Sequence, residues 1–511
     1  MAAQRRLFLS AAWLLLLFHA AVAMAQQPAA GLPLPALVDR LTWGATPDEL
    51  RRARELGAPG YIEAQLRPAP DAALPVDVQR HIDALSISRQ PADDALAEIR
   101  RQQMAVRRMP AGPEQAKARR EMRKLSTLRV GDTAKRAVWQ ALYTPNQLQD
   151  QMTWFWMNHF NVYAGKVNVG VVLDDYEARA VRPHALGKFR DLLRATMRSP
   201  AMLIYLDNQY NRADHINENY ARELMELHTL GVHGGYTQED VQELARVLTG
   251  LRANYSTKPP KVAPDLRAQI VQQDGFLFNP AAHDYGSKRV LGTTIQGRGL
   301  AEIDQVADLL ASHPATARHI STKLAQYFVA DQPPPGLVQA MAATFQKTDG
   351  DIAAVLRTLF HSDAFAQSLQ DGKFKDPVHY AYSALRLASA GQPPIDRADA
   401  VGGWLSRMGQ PLYRRLTPDG YPLAQSDWSG SGQMTVRFDL ARQIAWRPRS
   451  FYRGKGQGKA GAGRLPAFAD TYQRAGLADR LSPATRQVIA GAESKRDADT
   501  YLLASPAFMR R

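Results

Sequence analysis

Apolar residues recur at a spacing of three to four positions along most of this 511-residue chain. This spacing is typical of amphipathic helices. It predicts helices within five stretches: 30–68, 86–142, 147–163, 174–211 and 301–365. Breaks are expected at 108–113 and at the proline-rich turn 331–336. Thr46 before Pro47, and Thr237 three residues before Asp240, are predicted helix N-caps because their hydroxyls can accept a free backbone N–H.

Residues 270–297 depart from the helical spacing. Short apolar runs alternate there with Asn-Pro and glycine, which predicts one or two small β-hairpins. We therefore expect a mainly α, multi-helix globular protein with one or two small β-hairpins. A sub-boundary is expected near 298, and the basic glycine-rich stretch 453–463 is expected to be a mobile loop.

The first residues have the three parts of a secretory signal peptide. Arg5 and Arg6 precede an apolar run, and the small residues Ala23 and Ala25 follow it. Cleavage near Ala25 is predicted; cleavage after Ala23 and an uncleaved membrane anchor are the alternatives. No later stretch reaches the roughly 20 apolar residues that span a bilayer. We expect a signal peptide over 1–25, a helical region over 26–511 without a transmembrane segment, and a periplasmic or secreted location.

Composition limits the chemistry. The chain has 45% hydrophobic and 22% charged residues, as a packed globular protein needs, and no cysteine, which excludes thiolate nucleophiles and cysteine-ligated metals. The formal net charge is +15, and much of the excess lies in 100–136. For an exported protein, this basic stretch favours an anionic envelope polymer or lipid head groups over nucleic acid. The alternative is a solvated helix face.

The stretch 217–251 concentrates polar and ionisable residues in a predicted helix, glycine turn and second helix. If the first helix runs over 218–230, one face carries, at i, i+4 and i+7, Asn219, Glu223 and Glu226. His228 lies beside apolar residues on another face. Glu218 and Arg222 form an i, i+4 pair.

The acidic face has three readings. Glu223 and Glu226, with His228, could bind a divalent metal, although the usual Glu-x-x-His and His-Glu-x-x-His spacings are absent. The two carboxyls could instead perform acid–base chemistry if their pKa values differ. The third reading is a helix braced by Arg222, Arg246 and other cations.

Two further segments could contribute to a site. His159 lies in the aromatic run "WFWMNHF", where a hydrogen-bonded core histidine is the alternative to a ligand-binding one. His283 and Asp284 lie in a loop, "HDYG", between apolar runs. The alternative for Asp284 is a turn in which its carboxylate accepts from its own backbone.

Several motifs together resemble the DUF1800 family. They include "LVDRLTWGATPDELRRARELG", "MTWFWMNHFNVY", "NENYARELMELHTLGVHGGYTQEDVQELARVLTGL", "HDYGSKRVLG", "KLAQYFV" and "LLASPAFMRR". The resemblance runs from about Leu37 to Arg511. It implies an exported bacterial protein of unknown function, often encoded beside a DUF1501 protein. It also implies signature positions at Asn217, Glu218, Arg222, Glu223, Glu226, His228, His283 and Asp284, without established catalytic roles.

Two functions fit these residues. The first is a hydrolase-like enzyme acting on an envelope or extracellular polymer, with a divalent metal as the fitting cofactor. Its catalytic set would be Glu223, Glu226, His228, His283 and Asp284, and its substrate-binding set Asn217, Glu218, Arg222 and His159. It predicts that the acidic helix and the "HDYG" loop meet in one pocket. The second is a non-catalytic periplasmic binding or assembly partner of a DUF1501-type protein, so whether the chain is an enzyme stays open.

Overall fold

The computed structural model of this protein describes residues 31–70, 72–256, 258–446 and 467–511. The predicted signal peptide and the glycine-rich stretch 453–463 lie outside these residues. Helices dominate and the strands are short, so the prediction of a mainly α protein with small hairpins is confirmed. Within the described ranges, no helix is long and apolar enough to cross a bilayer.

The first part of the chain is a succession of helices joined by short turns. These helices are α1 (Leu34–Leu41), α2 (Pro47–Leu66), α3 (Val76–Asp83), α4 (Ser86–Arg89), α5 (Ala92–Arg108), α6 (Pro113–Tyr143), α7 (Gln147–His159), α8 (Val167–Asp175), α9 (Phe189–Arg198) and α10 (Pro200–Tyr205). A π-helix, Tyr176–Val181, follows α8 directly. Thr46 caps α2 as predicted, because its Oγ1 accepts from the backbone N–H of Glu49 at 3.3 Å.

The polar stretch folds as the predicted helical hairpin, with one difference. Its first arm is α11 (Asn219–Glu223) continued by a π-helix, Leu224–Thr229, where one continuous α-helix was expected. Because the π turn is wider, the N–H groups of Leu230 and Gly231 both donate to the carbonyl of Met225, at 2.8 and 3.2 Å. The second arm, α12 (Gln238–Val247), begins with the predicted capping box.

Two small antiparallel sheets confirm the predicted hairpins. The first sheet contains β1 (Leu251–Ala253), β2 (Val271–Gln273) and β3 (Phe276–Phe278) in the order β1-β3-β2; the second pairs β4 (Lys288–Val290) with β5 (Thr293–Ile295). The turn after β2 uses Asp274 and Gly275, and the turn after β4 uses Leu291 and Gly292, all with positive φ. Two consecutive residues of positive φ define the turn that suits a two-residue hairpin.

The rest of the chain is again helical. Its helices are α13 (Ala301–Ser312), α14 (Pro314–Phe328), α15 (Pro335–Lys347), α16 (Ile352–Phe360), α17 (Asp363–Asp371), α18 (Pro377–Ser389), α19 (Asp399–Arg407), α20 (Ser431–Trp446), α21 (Phe468–Arg474), α22 (Pro483–Ala490) and α23 (Lys495–Leu503). Buried apolar side chains from Leu32 to Met509 form one core cluster. The sub-boundary near 298 falls between β5 and α13 and stays a prediction.

Candidate functional site

Two histidines cap the end of the π-helix of the hairpin. A helix leaves its last carbonyls without a backbone N–H partner. The Nε2 of His159, on α7, donates to the carbonyl of His228 at 3.0 Å, and the Nε2 of His319, on α14, donates to that of Leu227 at 3.2 Å. The side chain of His159 is therefore a hydrogen-bonded core histidine, 1% exposed, as the alternative reading of its motif expected.

His228 lies in the core below this helix end. It is 0% exposed, and neither ring nitrogen has a hydrogen-bond partner among the described residues. Burial, and then the charges of Lys323 and His319, lower the pKa of His228 to about 3. The imidazole is consequently neutral at physiological pH, and its face of the helix is the apolar one that the sequence predicted.

Glu223 and Glu226 lie on the other, half-buried side of the same helix. Burial and the neighbouring carboxylate of Glu226 raise the pKa of Glu223, and Asp419 adds to the effect while Arg222 opposes it. No hydrogen bond or ion pair joins the Glu223 carboxyl to a described residue, whereas Glu226 accepts only from the Tyr236 hydroxyl, at 3.5 Å. The hairpin therefore presents a half-buried carboxyl that no described side chain pairs with.

The proposed metal ligands do not form a cluster. Across the part of the chain that the structure describes, no three His, Asp or Glu side chains are grouped so as to hold a metal ion. Glu223 and Glu226 are half-buried, while His228 is fully buried on the opposite face. In this conformation the three side chains are not a ligand set.

The residues assigned to substrate binding brace the hairpin. The Oδ1 of Asn217 accepts from the N–H of Asn219 at 3.0 Å, which caps the first turn of α11. Arg222 contacts Glu218 at 3.1 Å and Gln238, at the start of α12, at 2.7 Å. These contacts hold the two arms together, as the third reading expected of Arg222, but no ion pair joins Glu223 or Glu226 to a described cation.

His283 and Asp284 belong to a different polar cluster. The Nε2 of His283 donates to the buried Glu302 carboxylate at 2.9 Å, and Lys288 contacts the same carboxylate at 2.6 Å. Asp284 pairs with Arg246 at 2.8 Å and accepts from the N–H of Gly286 at 2.8 Å, which is the turn of the alternative reading.

The two predicted segments are not joined by contact. Among the described residues, no hydrogen bond, ion pair or ring contact links His283 or Asp284 to Glu223, Glu226 or His228. In the first segment, no described residue forms a hydrogen bond with the Glu223 carboxyl, the His228 ring or the Tyr220 hydroxyl. A common pocket for them stays a prediction.

A cavity beside the hairpin contains residues that the sequence did not single out. It has a volume of about 260 Å³ and is lined by Asn158, Lys323, Gln326, Asp331, Asp419, Tyr421, Pro422, Leu423 and Ala424. Lys323 is part-buried on α14, and no hydrogen bond or ion pair joins its ammonium to a described residue. Burial lowers the pKa of Lys323 to about 8, although the charge of Asp419 partly opposes this.

Asp419 connects the cavity with the acidic face. Its charge raises the pKa of Glu223 and that of Lys323, so it lies near both groups. Asp419 is itself paired with Arg415 at 3.0 Å and accepts from the Thr417 hydroxyl at 2.5 Å. The one sequence signal for this half of the site was the i, i+4 spacing of His319 and Lys323 in "HISTKLAQYFV".

A family model described as "Protein of unknown function (DUF1800)" matches residues 36–510 of the chain. No curated protein matches the chain. No solved structure matches the chain.

Proposed function

Since the chain belongs to the DUF1800 family, whose function is unknown, we propose a function from the chemistry of its own site. We propose an exported, hydrolase-like enzyme that acts on an envelope or extracellular polymer, with Glu223 as its acid–base group. The supporting observation is a half-buried carboxyl with no hydrogen bond or ion pair, beside the second carboxyl of Glu226.

Acid–base catalysis needs a group that holds a proton near neutral pH and can transfer it. Burial and a neighbouring negative charge both disfavour the ionised form of a carboxyl. Glu223 experiences both, and Glu226 is the second carboxyl of the pair. Pairs of carboxyls in unlike environments divide the roles of acid and base in many hydrolases. Because His228 is buried and neutral, we assign it to packing in the core and not to proton transfer.

A basic arm supports a polymeric, anionic partner. Helices α5 and α6 form a hairpin, and Pro113–Leu125 at the start of α6 contains no buried residue over a length of about 20 Å. Exposed cations without an ion pair to a described residue are Arg107, Arg108, Lys117, Arg119, Arg120 and Arg123. An anionic chain lying along this arm would be held by contacts that salt screens.

The test is hydrolysis of a polymer panel by the purified chain. Peptidoglycan, an acidic polysaccharide and a neutral polysaccharide are incubated with the wild type, Glu223→Gln and Glu239→Gln, and new reducing ends and new amines are counted. Glu239 is an exposed glutamate on α12 and serves as the matched control. We expect hydrolysis by the wild type and the control, and a loss of about 100-fold or more in Glu223→Gln. Inactivity of the wild type on the whole panel, or full activity of Glu223→Gln, refutes the proposal.

The alternative is a non-catalytic partner of a DUF1501-type protein. It would use exposed apolar side chains, and Tyr210, Val232 and Leu416 are 59%, 62% and 66% exposed. Exposed apolar residues that occur singly are common on monomers, so they support the alternative weakly. Co-purification of the two chains at equal stoichiometry, equally with wild type and Glu223→Gln, would favour this function.

A further inference from the structure

We propose that the cavity lined by Lys323 binds the carboxylate of a uronic acid unit, which makes an acidic polysaccharide the substrate class of the site. The substrate class rests on the proposed function, whereas the binding site rests on the residues that line the cavity.

One charged side chain in the cavity lining has no ion pair to a described residue. Asp331 already pairs with Lys373 and accepts from the N–H of Gln425 at 2.7 Å. Asp419 pairs with Arg415. Lys323 is the remaining charged group in the lining, and it contacts no carboxylate within ion-pair distance among the described residues. A part-buried ammonium that no carboxylate pairs with directly is costly, and an anionic ligand would reduce that cost.

A second free donor lies one turn along the same helix. Gln326 lines the cavity with Lys323, and its side-chain amide has no hydrogen-bond partner among the described residues. Residues at i and i+3 of a helix are neighbours on its surface. Together they offer an ammonium and an amide N–H, which suits the two oxygens of a carboxylate or a carboxylate and an adjacent hydroxyl.

Part of the cavity wall is the loop around Tyr421, which lies close to α7. Asn158 uses its whole amide on the backbone of Tyr421, donating to the carbonyl at 2.9 Å and accepting from the N–H at 2.6 Å. At Gly420 the φ is +76°, and an added Cβ would lie 2.2 Å from the Asn158 carbonyl oxygen. The loop can therefore approach α7 this closely only with glycine there, and the cavity is a built feature of the fold.

Size and lining favour a sugar over a larger group. A volume of about 260 Å³ is slightly below the range of roughly 300–1,000 Å³ typical of small-molecule pockets, so it admits a single ring. Tyr421, Pro422 and Leu423 supply apolar surface for the C–H face of a pyranose. Because the charge of Asp419 affects the pKa of both Lys323 and Glu223, the proposed acid–base group lies near the cavity but outside its lining.

The experiment measures binding by calorimetry with the full chain at pH 7. The probes are glucuronate, glucose, inorganic phosphate and N-acetylalanine. The variants are Lys323→Met, Lys323→Arg, Gln326→Leu and the control Lys347→Met, an exposed lysine at the end of α15. We expect glucuronate to bind at least about tenfold more tightly than glucose, and Lys323→Met to lose at least about tenfold, because hydrogen bonds to charged groups contribute that much.

Each remaining outcome supports or overturns the inference. Lys323→Arg and the control Lys347→Met should keep glucuronate binding, and Gln326→Leu should weaken it. If Lys323→Met misfolds, Lys323→Arg and Gln326→Leu still test the site. Equal binding of glucose and glucuronate, or full binding by both Lys323→Met and Gln326→Leu, overturns the site. Tighter binding of N-acetylalanine or phosphate overturns the uronate assignment.

Failure of this inference is separable from failure of the proposed function. Glu223→Gln should bind glucuronate as the wild type does, because Glu223 does not line the cavity. Binding without hydrolysis of any polymer would refute the enzyme and keep the site. Hydrolysis without uronate binding would do the reverse.

Discussion

Replacing Glu302 by glutamine should destabilise the fold by about 3–5 kcal/mol, because it breaks a buried ion pair from one side. The Glu302 carboxylate is 0% exposed and accepts four hydrogen bonds: from His283 at 2.9 Å, Lys288 at 2.6 Å, and the N–H groups of Arg298 and Gly299 at 2.7 and 2.9 Å. Burial alone would raise the pKa of Glu302, but the bonds from His283 and Lys288 outweigh it and lower the pKa.

The expected loss of stability follows from the groups that lose a partner when Glu302 becomes glutamine. Its side chain has the shape of glutamate, but it carries no charge and one of its two terminal atoms becomes a donor. The ammonium of Lys288, also 0% exposed, would lose its counter-ion. Removing one partner of a buried pair costs about 3–5 kcal/mol, whereas removing both can be nearly neutral. Glu302→Gln combined with Lys288→Met should therefore be more stable than Glu302→Gln alone.

Urea unfolding followed by tryptophan fluorescence measures the effect. The free energies of unfolding of wild type, Glu302→Gln, the double variant and Glu239→Gln are compared at pH 7. The exposed control should stay within about 0.5 kcal/mol of wild type. A loss below about 1 kcal/mol in Glu302→Gln, or a double variant that is less stable than the single one, would refute the structural role of this cluster and return His283 to the catalytic candidates.

Other predictions concern the core and the cavity. Burial lowers the pKa of His228 to about 3, from 6.5 in the unfolded chain, so the free energy of unfolding should fall as the pH drops below 6.5, by at most about 1.4 kcal/mol per pH unit. His228→Gln should reduce this pH dependence, as measured by unfolding at pH 7, 5.5 and 4.5. At Gly44 an added Cβ would lie 2.7 Å from the Cα of Ser383, so Gly44→Ala should cost about 2 kcal/mol or more, whereas Gly403→Ala, in open space within α19, should be neutral or stabilising; equal melting temperatures would contradict this. Lys323→Met should raise stability at pH 7 by about 1 kcal/mol, because the folded chain disfavours that charge, and this gain should shrink towards pH 10; a less stable variant would show that the ammonium has a structural role.

Local features of the fold could be predicted from the sequence. The Thr237 capping box, the glycine that ends the first arm at Gly231 and the Asp274–Gly275 turn each depend on residues within a few positions of one another. Each of these features can therefore be predicted from a short segment of the sequence. The π-helix was missed because apolar spacing cannot distinguish a turn of 3.6 residues from a slightly wider one over so short a segment.

In the candidate site, too, positions along one helix could be predicted from the sequence, whereas contacts between distant segments could not. The sequence by itself determined that Glu223 and Glu226 share the polar face of one helix and that His228 lies on the apolar face, because helical period alone places them. Only the tertiary structure decided that His159 and His319 cap that helix, that His283 is bound by Glu302, and that Lys323 lies unpaired beside a loop from nearly one hundred positions away. Those contacts join segments far apart in the chain, and their partners are selected by packing and by the cost of burying charge, neither of which has a period that a sequence displays.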